Sequence, residues 1–151
     1  MDTKQDRFTE TQAFAIWVYF LLGGIVAASE LTVWASRGQK SILLVSLIWL
    51  LPVLNLLCLR TRVTDVELIV TFGALFPLYR RRIPRSEIAS AEAVTYRPIP
   101  DYGGWGIRGI GRNVALNARG HHGVRLTLID GRTVLIGSQK SEELAAALFD
   151  Q

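Results

Sequence analysis

The chain has 151 residues, half of them hydrophobic, with 17 Lys/Arg against 13 Asp/Glu and one cysteine. That cysteine, Cys58, excludes an internal disulfide and a cysteine-based zinc cluster. Charge is unevenly divided: residues 1–59 balance four basic side chains against four acidic ones, so the net +4 belongs to residues 60–151. The second part, about 90 residues, suffices for one small domain and is too short for two.

Residues 1–12 read as an N-terminal tail. Asp2, Asp6 and Glu10 stand beside Lys4 and Arg7, which is not the positive n-region of a signal peptide, although Val26-Ala27-Ala28 offers small residues before a cut. Two apolar runs follow, 13–35 and 41–59, split only by Ser36-Arg37-Gly38-Gln39-Lys40. As helices rising 1.5 Å per residue they reach roughly 35 Å and roughly 28 Å, against a hydrocarbon core of about 30 Å. The first carries one charge, Glu30, and the second none. The pair reads as a two-helix transmembrane hairpin, with the lipid bilayer as its first partner. Lys4, Arg7, Arg60 and Arg62 outnumber Arg37 and Lys40, which places both termini and residues 60–151 in the cytoplasm.

Polar residues within the runs are candidate intramembrane contacts. Glu30 lies near the connecting stub, where its carboxylate reaches the interface or pairs with Arg37 or Lys40; the competing reading is a proton or ion pathway. Asn55 is suited to a hydrogen bond across to a neighbouring helix, beside a bend at Pro52. Gly23-Gly24 and Ala27-Ala28 permit close helix approach. Cys58 reads as a small hydrophobe, with acylation as the alternative.

Periodicity changes at Arg62. Val66, Leu68, Val70 and Phe72 alternate with Asp65, Glu67, Ile69 and Thr71 as in a half-buried strand that Gly73 ends. Residues 76–83 form a second strand stopped by Pro84, and residues 113–118 a short one; in residues 86–97 Ile88, Val94 and Tyr96 suit a third strand while the alanines would tolerate a helix. Residues 124–129 and 132–136 flank Asp130-Gly131, which predicts a hairpin with a type I′ turn and positive φ at both central positions. Ser138 or Ser141 caps a final helix that has Glu142 and Glu143 in its first turn and the stripe Leu144/Leu148. The fold class is therefore α+β: a helical hairpin, then five to seven antiparallel strands and one C-terminal helix.

This layout resembles the bacterial PH-like (bPH) domain membrane proteins. The residues that carry the resemblance are Phe76-Pro77-Leu78-Tyr79-Arg80-Arg81-Arg82-Ile83-Pro84 leading into Ser86-Glu87-Ile88-Ala89-Ser90-Ala91-Glu92, the stretch Tyr102-Gly103-Gly104-Trp105-Gly106-Ile107-Arg108, and Val134-Leu135-Ile136-Gly137-Ser138-Gln139 before Glu142-Glu143-Leu144. The resemblance implies a bent, seven-stranded PH-like antiparallel β-barrel or sandwich over residues 60–151, capped by the terminal helix. It also implies a multi-pass protein of the bacterial cytoplasmic membrane.

Arg80, Arg81, Arg82 and Arg85 form the densest basic cluster, suited to an anionic lipid headgroup or an acidic partner; the plainer reading is a solvated strand edge blunted against pairing. No aromatic-interleaved basic groove accompanies it, so nucleic acid is not the expected partner. Gly104-Trp105-Gly106-Ile107-Arg108-Gly109 fits G-x-G-x-x-G but opens no helix, so it reads as a bent strand. His121-His122 lack further metal ligands nearby, and Asp101 and Arg108 are placed to pair with each other. No nucleophile stands beside a base, so neither catalysis nor a cofactor is expected. The sequence thus predicts a membrane-anchored, non-catalytic binding or scaffold module with a protein partner or a second copy of itself. An anionic-lipid reader and an accessory subunit of a membrane transport or enzyme complex are the alternatives.

Overall fold

The structure is a computed structural model that describes residues 6–37, 50–109 and 111–149. Among the described residues nine strands form two sheets. In the first, β1 (Asp6–Ala13), β2 (Cys58–Thr64), β3 (Glu67–Phe72) and β4 (Tyr79–Pro84) run as an antiparallel meander in the order β1-β2-β3-β4. In the second, β5 (Ile88–Thr95), β6 (Gly106–Arg108), β7 (Asn113–Asn117), β8 (His122–Leu128) and β9 (Thr133–Gly137) are ordered β5-β8-β9-β7-β6. The helices are α1 (Ile16–Arg37), α2 (50–56), α3 (Pro98–Tyr102) and α4 (Ser141–Phe149). The α+β class stands; the sheets do not close into a barrel, and β7 pairs with β9 in parallel, so the ladder is not wholly antiparallel.

The largest departure from the sequence reading is at the front. The expected tail 1–12 contains β1, which pairs along its length with β2, Ala13 opposite Cys58 and Thr9 opposite Arg62. The second apolar run therefore ends before Cys58, because Cys58 and Leu59 already belong to the sheet. Residues 41–49 of that run and the stub 38–40 lie outside the described residues; 50–56 is helical. Both apolar segments thus form an excursion out of a β-hairpin. Its two ends are joined: the Phe14 N–H donates to the Leu57 carbonyl at 3.0 Å, and the Tyr19 hydroxyl to the same carbonyl at 3.3 Å.

The core lies between the sheets. Leu59, Val63, Leu68, Val70 and Phe72 of the first sheet meet Leu116, Val124, Leu126, Val134 and Ile136 of the second. The amphipathic α4 adds Leu144 and Leu148 and packs on β1, β2, β5 and β8. Where β1 passes β9 there is no ladder, and side chains bridge instead. Gln12 Nε2 donates to the Gly137 carbonyl at 2.8 Å, while Glu10 accepts from Ser138 Oγ at 2.6 Å and the Gln139 N–H at 2.9 Å. Ser138 in turn accepts the Lys140 N–H at 3.0 Å, so it serves the approach to α4 from three residues before the helix begins.

The hairpin at Asp130-Gly131 forms with a different turn. Leu128 accepts from the Gly131 N–H at 2.9 Å and donates to Arg132 at 2.8 Å, which makes the loop three residues long. Gly131 takes the single positive φ, 78°, and Asp130 takes none. This is the type I turn with a glycine bulge rather than type I′, and the glycine preference is the same in both.

Candidate functional site

The two sheets bury one face each against the other, and their outer faces differ in chemistry. A strand's side chains alternate, so the outward set of the first sheet follows from its register. One outward row reads Thr11, Arg60, Thr71, Arg80 across the four strands, and the next reads Thr9, Arg62, Ile69, Arg82. Four arginines therefore share one exposed face. Arg60 and Arg80 are separated by one strand, about 10 Å, and each lies about 7 Å from the arginine two residues further along its strand. They line a groove of about 340 Å³ whose other wall is Gly73, Leu75, Phe76 and Pro77.

Only one of the four is neutralised. Arg62 Nε meets Asp6 Oδ1 at 2.5 Å, and that hydrogen bond raises the arginine's already high pKa. Arg60, Arg80 and Arg82 make no ion pair or side-chain hydrogen bond among the described residues. Two like charges at about 10 Å repel by about 0.4 kcal/mol in water before salt screening. Unpaired cations on a solvated face add no packing, although on the edge strand β4 Arg80 and Arg82 also blunt pairing with another chain. An anion placed among them gains charge-assisted hydrogen bonds from several guanidinium forks.

The expected cluster Arg80, Arg81, Arg82 and Arg85 is thus divided by the fold. Arg80 and Arg82 belong to the cationic face. Arg81 has the opposite parity, opposite Val70, and sits half-buried at the edge of the inner face. Arg85 is structural: Nη2 and Nε donate to the Leu148 carbonyl at 2.7 and 3.1 Å, satisfying an open carbonyl at the end of α4. Arg60 and Arg62 replace them, and they were missed as site residues. Their signal was the spacing i, i+2 on a strand, the same as that of Arg80 and Arg82, hidden at the end of an apolar run.

Asn55 is corrected as well. Its side chain is 4% exposed and its amide is committed within the chain rather than to another helix. Oδ1 accepts the N–H groups of Leu75 at 2.7 Å and Phe76 at 3.3 Å, and Nδ2 donates to the Phe76 carbonyl at 2.8 Å. Residues 73–78 are therefore a loop moulded on α2, and β4 begins only at Tyr79. Gly73 has φ 135°, and a Cβ there would fall 2.0 Å from the Phe76 carbonyl oxygen. Glu30 sits half-buried on α1, apart from the arginine face; Lys40, one of its expected partners, lies outside the described residues.

The other motifs resolve locally. Asp101 pairs with Arg97, not Arg108: it accepts the Arg97 N–H at 2.8 Å, a bond that holds its carboxyl below the usual range, and the guanidinium at 3.1 Å. Arg108 Nε donates to the Trp105 carbonyl at 2.9 Å. The glycine-rich stretch leads into β6, and its Trp105 ring packs edge-on against Trp17 of α1 with centroids 6.4 Å apart. His122 Nδ1 lies 3.3 Å from Thr95 Oγ1. Among the described residues no three His, Cys, Asp or Glu side chains group closely enough to hold a metal ion. No protein-family model, curated protein or solved structure matches the chain.

Proposed function

We propose that the chain is a membrane-anchored, non-catalytic recognition module that presents the arginine face of its first sheet to an anionic ligand. The observation that carries this reading is the continuity of β1 and β2 with the apolar segments. Residues Ile16–Ala35 form a helix long and apolar enough to cross a membrane, with mean hydropathy 1.7 and none of its side chains buried. That surface needs an apolar environment that the rest of the described chain does not supply. The excursion leaves at Phe14 and is hydrogen-bonded to itself again at Leu57. A chain that crosses a bilayer and returns to its starting point does so an even number of times. The uncharged run from 41, helical over 50–56 and ending before Cys58, is the segment available for the return. These features support a hairpin with the β-rich part on one side, the cytoplasmic side by the Lys/Arg bias.

A PH-like class for the β-rich part has support in the topology. With β6 and β7 set aside, seven strands remain: the meander β1-β2-β3-β4, the meander β5-β8-β9, and a closing helix. In this reading α3, β6 and β7 are an insertion between β5 and β8.

Alkaline carbonate extraction of membranes from cells expressing the full chain tests the anchor. Retention in the pellet supports it, and release into the supernatant overturns it. A reporter fused after Gln151 tests the side, with activity expected from a cytoplasmic reporter and not from one that needs export.

A further inference from the structure

Resting on that anchored reading, we infer that the anchor-side corner of the arginine face binds the phosphate of an anionic phospholipid from the anchor's own bilayer, while the loop 74–78 is immersed beside it. The loop supplies the first argument. Leu75 is 85% exposed and Phe76 and Leu78 are each 48% exposed, three large apolar side chains within four residues. They are not loose. Gly73 donates to the Cys58 carbonyl at 2.9 Å, Leu78 to Phe72 at 3.0 Å, and Ala74 to the Asn55 carbonyl at 3.0 Å. Together with the three bonds to the Asn55 amide, these fix the loop against the foot of α2 with its apolar side chains turned outward. A held apolar loop at the foot of an apolar helix is built to enter the same medium as that helix.

The second argument is depth. Arg60 lies two residues beyond Cys58, where the sheet meets the anchor, and Arg80 lies one residue into β4 after the loop. Two residues of strand rise about 7 Å. Each headgroup layer is about 5–8 Å thick outside the hydrocarbon core. Arg60 and Arg80 therefore stand at phosphate height once the anchor and the loop are in the core. Thr71 lies between them in the same row, so its hydroxyl is placed as a further donor to the same phosphate.

The third argument selects the occupant. The groove that holds Arg60 and Arg80 is walled by Leu75 and Phe76, so it is cationic on one side and apolar on the other. An anionic amphiphile matches both walls. A run of acidic residues alone would leave the apolar wall unmatched, and so would free phosphate.

The test uses the full chain in nanodiscs of phosphatidylcholine with or without phosphatidylglycerol, followed by release into mild uncharged detergent and native mass spectrometry. Wild type is expected to keep phosphatidylglycerol in preference to phosphatidylcholine, and Arg60→Gln with Arg80→Gln to lose at least tenfold of that retention at unchanged melting temperature. Equal retention by the double variant would overturn the inference. So would displacement of the lipid by millimolar inorganic phosphate, or by an acidic peptide that binds the same arginines in lipid-free detergent. A spin label at Leu75→Cys in a Cys58→Ser background reads the loop: oxygen is expected to reach it better than a water-soluble nickel chelate, and the reverse would remove the immersed loop. Carbonate extraction of the double variant separates the two levels. Retention in the pellet with lost lipid selectivity supports both anchor and site, retention with unchanged selectivity overturns the site alone, and release overturns the anchor.

Discussion

The outer faces of the two sheets are covered in opposite ways. On the second sheet, Tyr96, Ala115 and Leu135 are buried outside the main core, with Val94 and Tyr102 packed against them. The segment that buries them, α3 with the glycine-rich stretch, is stapled by Asp101 to Arg97 and by Gly106 N–H to Asn117 Oδ1 at 2.9 Å. On the first sheet no element crosses the outer face among the described residues; threonines, Ile69 and four arginines make up its middle rows, with Glu67 at the end of β3 and Asp6 paired to Arg62. The chain itself covers part of one face, beside a groove of about 670 Å³ lined by Asp101, Tyr102, Arg125 and Leu135. The other face is bare among the described residues, and its three arginines without an ion pair there are what the proposed anionic ligand would meet.

The strongest way to break this contrast is to remove packing from the covered face. Leu135→Ala is expected to cost about 2–5 kcal/mol, the range for a leucine truncated in a tight site, since Leu135 is 2% exposed. A drop in melting temperature of the detergent-solubilised chain measures it, and a loss under 1 kcal/mol would mean the second face is no core. The border of the bare face comes next. Asn55→Leu removes three hydrogen bonds from the loop at once, and leaving such groups unmatched costs about 1–3 kcal/mol. Faster proteolysis confined to 73–78 is the expected signature, and unchanged cleavage there would show that the amide does not hold the loop.

A smaller effect separates the faces by pH. Burial pushes the Tyr96 phenol above its ordinary value. A raised folded pKa means that its contribution to stability is whole below the free phenol's value of about 10 and is lost as the pH rises from there through the folded value. Tyr96→Phe should flatten the fall in melting temperature between pH 9 and pH 11, and an unaltered slope would contradict the assignment. The smallest effect belongs to the bare face. Arg80→Gln is expected to leave stability unchanged or to raise it by a few tenths of a kcal/mol, an increment that salt erases. Destabilisation by more than about 1 kcal/mol would show that the arginine is structural after all.

Legibility followed the range of the interactions. The alternation of Leu68, Val70 and Phe72 and the Asp-Gly hairpin are local patterns, so β3, β8 and β9 were readable. β1 was not, because its only large apolar inward residue is Phe8 and its stability comes from a partner strand beyond the whole apolar excursion. β2 was masked differently: Cys58 and Leu59 extend a hydrophobic run, and the pattern becomes two-residue only from Arg60. Composition located the basic cluster near Arg80, but only parity and register reveal that Arg81 and Arg85 turn away and that Arg60 and Arg62 join. Asn55 read as a contact between helices because the loop it templates contributes only backbone groups, which no residue type announces.

The placement of β1 has a consequence for synthesis. Translation delivers β1 before the apolar segments and its ladder partner β2 only after them. Until Cys58 arrives next to Ala13, the leading strand has an open edge and the cavity under α4 lacks a wall. Closure of the β-rich body therefore waits on the whole apolar stretch, and until β2 arrives β1 keeps an unpaired edge and Phe8 an incomplete cover, features that proteases and chaperones recognise.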